Sequence, residues 1–176
     1  NLRRSGQRTD RPVLGAAEVH FVEILRARVG SDQLLHHIHC LDRAAELVTQ
    51  DAIAEIASAA EHAGFDACFV TDHPFPPHRW LHGGGHHAHD PFVALSFAAA
   101  ATRRLRLQTH ILVLPYRNPV ITAKMVATLD QLSQGRVILG VGPGYLPEEF
   151  KALGIPYKHT GAKTNEYIDA FRALWS

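Results

Sequence analysis

A chain of 176 residues, 46% hydrophobic and 20% charged, can bury one sizeable core, and a formal net charge of +1 gives no electrostatic case for nucleic acid or an anionic membrane surface. The two cysteines, Cys40 and Cys68, have no metal-type spacing and suggest no disulfide framework, so a reducing cytoplasm is the expected compartment. No apolar run approaches transmembrane length, and no signal-peptide core follows the basic N-terminus.

Residues 1–48 carry scattered arginines without helical or strand periodicity; a strand over 19–25 and a helix over 34–48 are the most the pattern offers. From Thr49 the reading sharpens. Thr49 is an N-cap with Asp51 in the first turn, Ile53, Ile56, Ala57 and Ala60 form one apolar stripe, and Gly64 stops the helix. Residues 65–71 read as a short buried strand containing Cys68 as a small core residue and delivering Asp72 and His73 at its carboxyl end. The stretch 74–89, full of Pro, Gly and His, reads as a long irregular loop of a kind more often functional than idle.

Asp90-Pro91 is a cap followed by a first-turn proline, opening a helix over 92–101. Residues 105–114 form a second buried strand. Asn118-Pro119 repeats the cap-and-proline start, Ala123, Val126, Ala127 and Leu129 to Leu132 carry helical spacing, and Gly135 ends that helix. Residues 137–141 are a third strand opening into Gly142-Pro143-Gly144. A short helix starts at Pro147-Glu148-Glu149 and ends at Gly154. The last helix covers 163–175 with Tyr167, Ile168, Phe171 and Leu174 inward. Recurring βα units make this an α/β chain with a parallel sheet, either open and doubly wound or closed into a barrel.

Several ordered motifs, Leu-Pro-Tyr-Arg-Asn-Pro ending at Pro119, Ala-Thr-Leu-Asp-Gln-Leu-Ser-Gln-Gly-Arg ending at Arg136 and Leu-Gly-Val-Gly-Pro-Gly-Tyr ending at Tyr145, resemble the bacterial luciferase-like monooxygenase superfamily. The resemblance is closest to the branch using the deazaflavin coenzyme F420. Ala63-Gly64-Phe65-Asp66 and Thr71-Asp72-His73 match the same family in order, so the resemblance spans about Gln50 to Ser176. It implies an eight-stranded (β/α) TIM-type barrel, of which 49–176 would be a partial barrel of about the first four βα units, with 1–48 a poorly matched N-terminal segment. Strands five to eight, with the phosphate-binding end, would be missing. Open strand edges would then favour self-association or a homo-oligomer, and the cofactor would be held weakly.

The resemblance also implies an oxidoreductase or monooxygenase acting by hydride transfer between a small organic substrate and coenzyme F420, with FMN as the alternative cofactor. In that family a pair like Asp72-His73 borders the cofactor ring, and His73 would exchange a proton. The plainer reading is that Asp72 caps a turn and His73 orders the loop. The third barrel strand of the family bulges at a cis non-prolyl peptide, which falls at or beside His110-Ile111; otherwise His110 is a satisfied polar group on an ordinary strand. Gly140, Gly142 and Gly144 let backbone approach a flat ring closely, or simply form a tight turn. Relatives acting on a sugar phosphate carry a glutamate proton donor where this chain has Tyr145, which argues against that substrate and leaves Tyr145 as a candidate donor. The cofactor-binding set is therefore Asp72, His73, His110, Ile111, Gly142 and Gly144, and the catalytic set His73 and Tyr145.

Two other classes compete. His78, His82, His86, His87 and His89 beside Asp90, with the His37-Ile38-His39 pattern, suggest a metal-dependent hydrolase on a barrel, although metal sites require fixed geometry and no metal set is assigned. The third reading is an inactive half-barrel fragment.

Overall fold

A computed structural model describes residues 49–176, and the strand and helix expected within 1–48, with Cys40, His37 and His39, lie outside the described residues. The order is α1 (Gln50–His62), β1 (Ala67–Val70), α2 (His78–His82), α3 (Pro91–Ala101), β2 (Arg106–Val113), a 3-10 turn (Leu114–Tyr116), α4 (Pro119–Leu132), β3 (Val137–Gly142), α5 (Pro147–Ala152) and α6 (Thr160–Trp175). Among the described residues the strands form one sheet in the order β1-β2-β3, all parallel. Cys68 pairs with Leu107 and Leu107 with Val137, so three successive strands run in step and present their carboxyl ends together.

The helix starts follow from local chemistry. Thr49 accepts a hydrogen bond from the Ala52 N–H at 3.2 Å, and the carboxylate of Asp90 and the amide oxygen of Asn118 each accept two first-turn N–H groups. Pro91 and Pro119 sit where a missing N–H is harmless. At the α4 exit, Gln134 and Gly135 both take positive φ, 62° and 81°. The glycine adopts this freely, and the turn closes by a Gly135 N–H to Asp130 carbonyl bond of 2.8 Å.

One face of the sheet carries the core. Ile53, Ala57 and Ala60 of α1 and Ala94, Leu95 and Ala98 of α3 pack with Cys68, Val70 and Leu107, while Ala123, Val126 and Ala127 of α4 join Leu112, Leu139 and Phe171. Burial pushes the Cys68 thiol up to about 12, which makes it an inert core group. Arg136 ties the amino ends together: it donates to the carbonyls of Ser133, Leu105 and Ala99 and to the Thr102 hydroxyl, all within 3.0 Å.

Several details depart from the sequence reading, and the last helix starts at Thr160 instead of 163. The stretch 74–89 contains a helical turn, α2, behind Pro77. Leu174 is exposed and Trp175 buried instead, because Trp175 lies four residues after Phe171 on the inward stripe and its indole N–H reaches the Ala123 carbonyl at 3.3 Å. Leu132 is exposed at the α4 end, past the buried turn that finishes at Leu129.

Glu61 makes a testable anchor. Its carboxylate accepts the backbone N–H groups of Arg103, Arg104 and Leu105, at 2.6 Å from Arg104 and 2.7 Å from Leu105, joining the end of α1 to the entry of β2. These bonds, led by that from Arg104, hold its pKa below the ordinary value. A depressed folded pKa contributes stability above the unfolded pKa and loses it as pH falls through the folded one. Glu61→Gln is expected to lower unfolding free energy by about 1 kcal/mol near neutral pH, after allowance for solvent screening. The wild-type advantage should vanish in urea melts run on the acid side of the folded pKa.

Candidate functional site

The carboxyl ends of the three strands gather most of the residues singled out from sequence. Asp72, just after β1, is buried, and both carboxylate oxygens are engaged. Oδ2 accepts the Val113 N–H at 3.0 Å, and Oδ1 accepts from Arg117 Nη2 at 2.8 Å. Arg117 also reaches Asp90 at 3.1 Å and lies over the Phe92 ring, 5.5 Å from its centroid. Burial pushes the Asp72 carboxyl upward, and the Arg117 guanidinium and the Val113 N–H oppose that shift. Burial alone would pull Arg117 down, but its two carboxylate partners outweigh it, so the guanidinium stays charged. Asp72 thus locks the end of β2 to the end of β1.

His73 follows immediately and is nearly enclosed. Its ring centroid lies 4.4 Å from Trp80, 5.5 Å edge-on from His86 and 6.1 Å edge-on from Tyr145. His86 in turn meets the Thr71 hydroxyl through Nε2 at 2.9 Å, which folds the histidine-rich loop back onto the strand end. Trp80 reaches the cluster because α2 carries it there, and a side chain at Gly85 would collide with the indole. Arg79 of α2 pairs with Glu148 of α5, tethering that turn from outside.

Beneath this cluster sits Glu149, only 1% exposed. Oε2 accepts the Tyr116 hydroxyl at 2.8 Å, Oε1 accepts the Phe75 N–H at 3.4 Å, and Oε1 lies 3.4 Å from Nδ1 of His73. That last approach lacks hydrogen-bond alignment, leaving the buried Nδ1 without a partner among the described residues. Burial, then the bond to Glu149, pushes the Tyr116 hydroxyl well above the ordinary tyrosine range. Tyr145 is 59% exposed, and burial of part of its ring, with the nearby charge of Glu149, also raises its pKa against a hydrogen bond from Trp80.

The third-strand expectation is met in the backbone. The His110–Ile111 peptide is cis, and the β2–β3 register shifts between Thr109 and Leu112. The His110 side chain is exposed and packs against Phe69, with ring centroids 5.0 Å apart. The glycines face protein atoms: a Cβ on Gly140 would strike the Thr109 carbonyl, and one on Gly142 would strike the Ile111 side chain. Gly144, at φ 79°, leaves room for Val113 and Phe150, whose nearest atoms would stand 2.7 and 2.9 Å from a Cβ. Their small size lets β3 and its exit loop close against the irregular part of β2.

Among the described residues no three His, Cys, Asp or Glu side chains come together to hold a metal. His78 and His82 pair on α2, whereas His86 turns to Thr71, so among the described residues the loop histidines do not converge on one point. The sequence offers no site role for Trp80 or Glu149, places Arg117 only within a strand-end motif, and names His86 only among the loop histidines of the metal reading. Glu149 looked like an ordinary first-turn acid; its adjacency to Phe150, buried with it, was the one available hint.

Residues 34–176 match the family model described as Luciferase-like monooxygenase, reaching upstream of the start at Gln50 read from the motifs. An F420-dependent glucose-6-phosphate dehydrogenase of Beutenbergia cavernae is 43% identical over 121 residues, which are 66% of this chain and 34% of that protein. An F420-dependent secondary alcohol dehydrogenase, solved with an F420-acetone adduct, is 32% identical with a TM-score of 0.64, over 77% of this chain and 40% of that one. Monooxygenase RslO1 of Streptomyces bottropensis is 31% identical with a TM-score of 0.64, over 76% and 40%. The chain spans about a third of the length of the curated relatives it matches. No helix among the described residues is long and apolar enough to cross a membrane.

Proposed function

The chain belongs to the luciferase-like monooxygenase family, and from that premise we propose that it serves an F420-dependent oxidoreductase interconverting a small organic alcohol and its carbonyl. On this reading the three parallel strands are successive members of a (β/α)8 barrel whose chemistry lies at their carboxyl ends. Two relatives named for F420, at 43% and 32% identity, support the deazaflavin. The monooxygenase at 31% keeps oxygen chemistry as the alternative, and a riboflavin lyase solved with modified FMN, at 26% identity, keeps FMN as the alternative cofactor.

The observation that carries the reading is the setting of His73, an imidazole at a strand end with one nitrogen buried beside a carboxylate and its ring walled by Trp80 and Tyr145. This donor set fits a planar coenzyme and a substrate that must gain or lose a proton. The coenzyme, when bound, supplies the ring that accepts or returns hydride. The protein's part is to move the hydroxyl proton through His73, to orient the substrate against Trp80, and to keep the site framed by the Asp72–Arg117 lock. His110 and Ile111, at the bulge of β2, complete the proposed coenzyme-facing set, and Gly142 and Gly144 support it from behind by letting β3 and its exit loop close against that bulge.

The test is a competition between cofactors. Protein made from the complete reading frame that holds this chain is titrated with F420 and with FMN, each followed by its own fluorescence. F420 is expected to bind at least about tenfold more tightly, a difference of about 1.4 kcal/mol. Tighter binding of FMN, or binding of neither, overturns the assignment.

A further inference from the structure

A fully buried carboxylate needs a reason, because an unpaired one is costly and a structural one is normally met by several donors. Glu149 has the Tyr116 hydroxyl at 2.8 Å on one oxygen and, on the other, a long 3.4 Å bond from Phe75 N–H. That second oxygen stands 3.4 Å from Nδ1 of His73, a buried ring nitrogen that has no hydrogen-bond partner among the described residues. A carboxylate short of donors and an imidazole nitrogen short of a partner therefore face one another.

We infer that Glu149 is the positioning residue of His73: its carboxylate, steered by Tyr116, holds the imidazole with its proton on Nδ1 and leaves Nε2 as the nitrogen that exchanges a proton with substrate. The tautomer of a histidine is set by the hydrogen bond made by its other nitrogen, so a fixed acceptor at Nδ1 suffices to choose it. The other groups around the ring do not compete. Asp72 is occupied by Arg117 and Val113, and His86 is turned to Thr71. Tyr145 meets the ring only edge-on, and Trp80 carries no charge. Neither Tyr116 nor Glu149 touches substrate on this account; they act through His73.

The inference rests on the functional reading above only for what Nε2 does, and the test separates the two. The chain labelled with 15N-histidine is examined by long-range proton–nitrogen correlation at a pH where His73 is neutral, in wild type, Glu149→Gln and Tyr116→Phe. Wild-type His73 is expected as the Nδ1–H form. Glu149→Gln should shift it to a mixture, because an amide can donate to Nδ1 as readily as accept from it. Tyr116→Phe, which removes a hydroxyl and leaves the acid in place, should cause a smaller shift in the same direction. If Glu149→Gln does not fold, Tyr116→Phe decides alone. A wild-type His73 carrying its proton on Nε2, or ring signals unchanged in the variants that fold, overturns the inference. If the tautomers behave as stated but no F420 binds, the functional reading falls and the positioning of His73 stands.

Discussion

Asp72→Ala is expected to lower the unfolding free energy by about 3–5 kcal/mol, the cost of leaving a desolvated charge without its partner. The guanidinium of Arg117 is 21% exposed and keeps only Asp90, itself at the solvent edge, when Asp72 is removed. The Val113 N–H loses its acceptor as well. Denaturant unfolding measures the effect, with an unchanged m-value showing that stability rather than compactness has moved. Arg117→Met in the Asp72→Ala background should recover a large part of the loss, because the buried charge goes with its partner and an apolar chain takes the space over Phe92. A loss below about 1 kcal/mol in the single variant would place the Asp72–Arg117 pair among ordinary surface ion pairs.

The same pair illustrates what was legible in the sequence. Elements were readable wherever the signal lay within a few residues: Thr49, Asp90 and Asn118 cap the helices expected of them, and the three apolar runs became three parallel strands in the expected order. The ends were less sharp, with β1 covering Ala67–Val70 inside the expected 65–71, because strand limits depend on pairing with β2. The cis peptide at His110–Ile111 came from family resemblance; nothing in the alternation of residues 105–114 marks it. What stayed hidden was convergence. Arg117 meets Asp72 from 45 positions away, and Tyr116 meets Glu149 from 33. No local period encodes such meetings, which exist only after the strand ends are aligned. Asp72 was singled out as a cofactor-facing group, but both its oxygens are committed to protein, so its part in the site is to hold the frame on which His73 stands.

The largest expected effect on turnover is at His73. In the F420 reading one side chain must carry the substrate proton, and His73 and Tyr145 are the two candidates, their rings 6.1 Å apart. The physical chemistry separates them. Tyr145 is more than half exposed, and both its partial burial and the charge of Glu149 favour the protonated phenol, so it is suited to donate and poorly suited to accept at neutral pH. An imidazole has one donor and one acceptor nitrogen, so with one of them turned to a carboxylate the other can give or take a proton, as a reversible alcohol–carbonyl interconversion requires. His73→Gln is therefore expected to reduce kcat about 10²–10⁴-fold, the usual contribution of a positioned acid or base, while changing the affinity for F420 by no more than about threefold. Tyr145→Phe is expected to cost less than about tenfold and to act mainly through KM, as loss of a hydroxyl at the rim of a binding site would. Steady-state kinetics on the two variants with one alcohol substrate decides the matter. A large kcat loss in Tyr145→Phe with His73→Gln near wild type would transfer the proton to the tyrosine, and would leave His73 as a residue that orders the loop around Trp80.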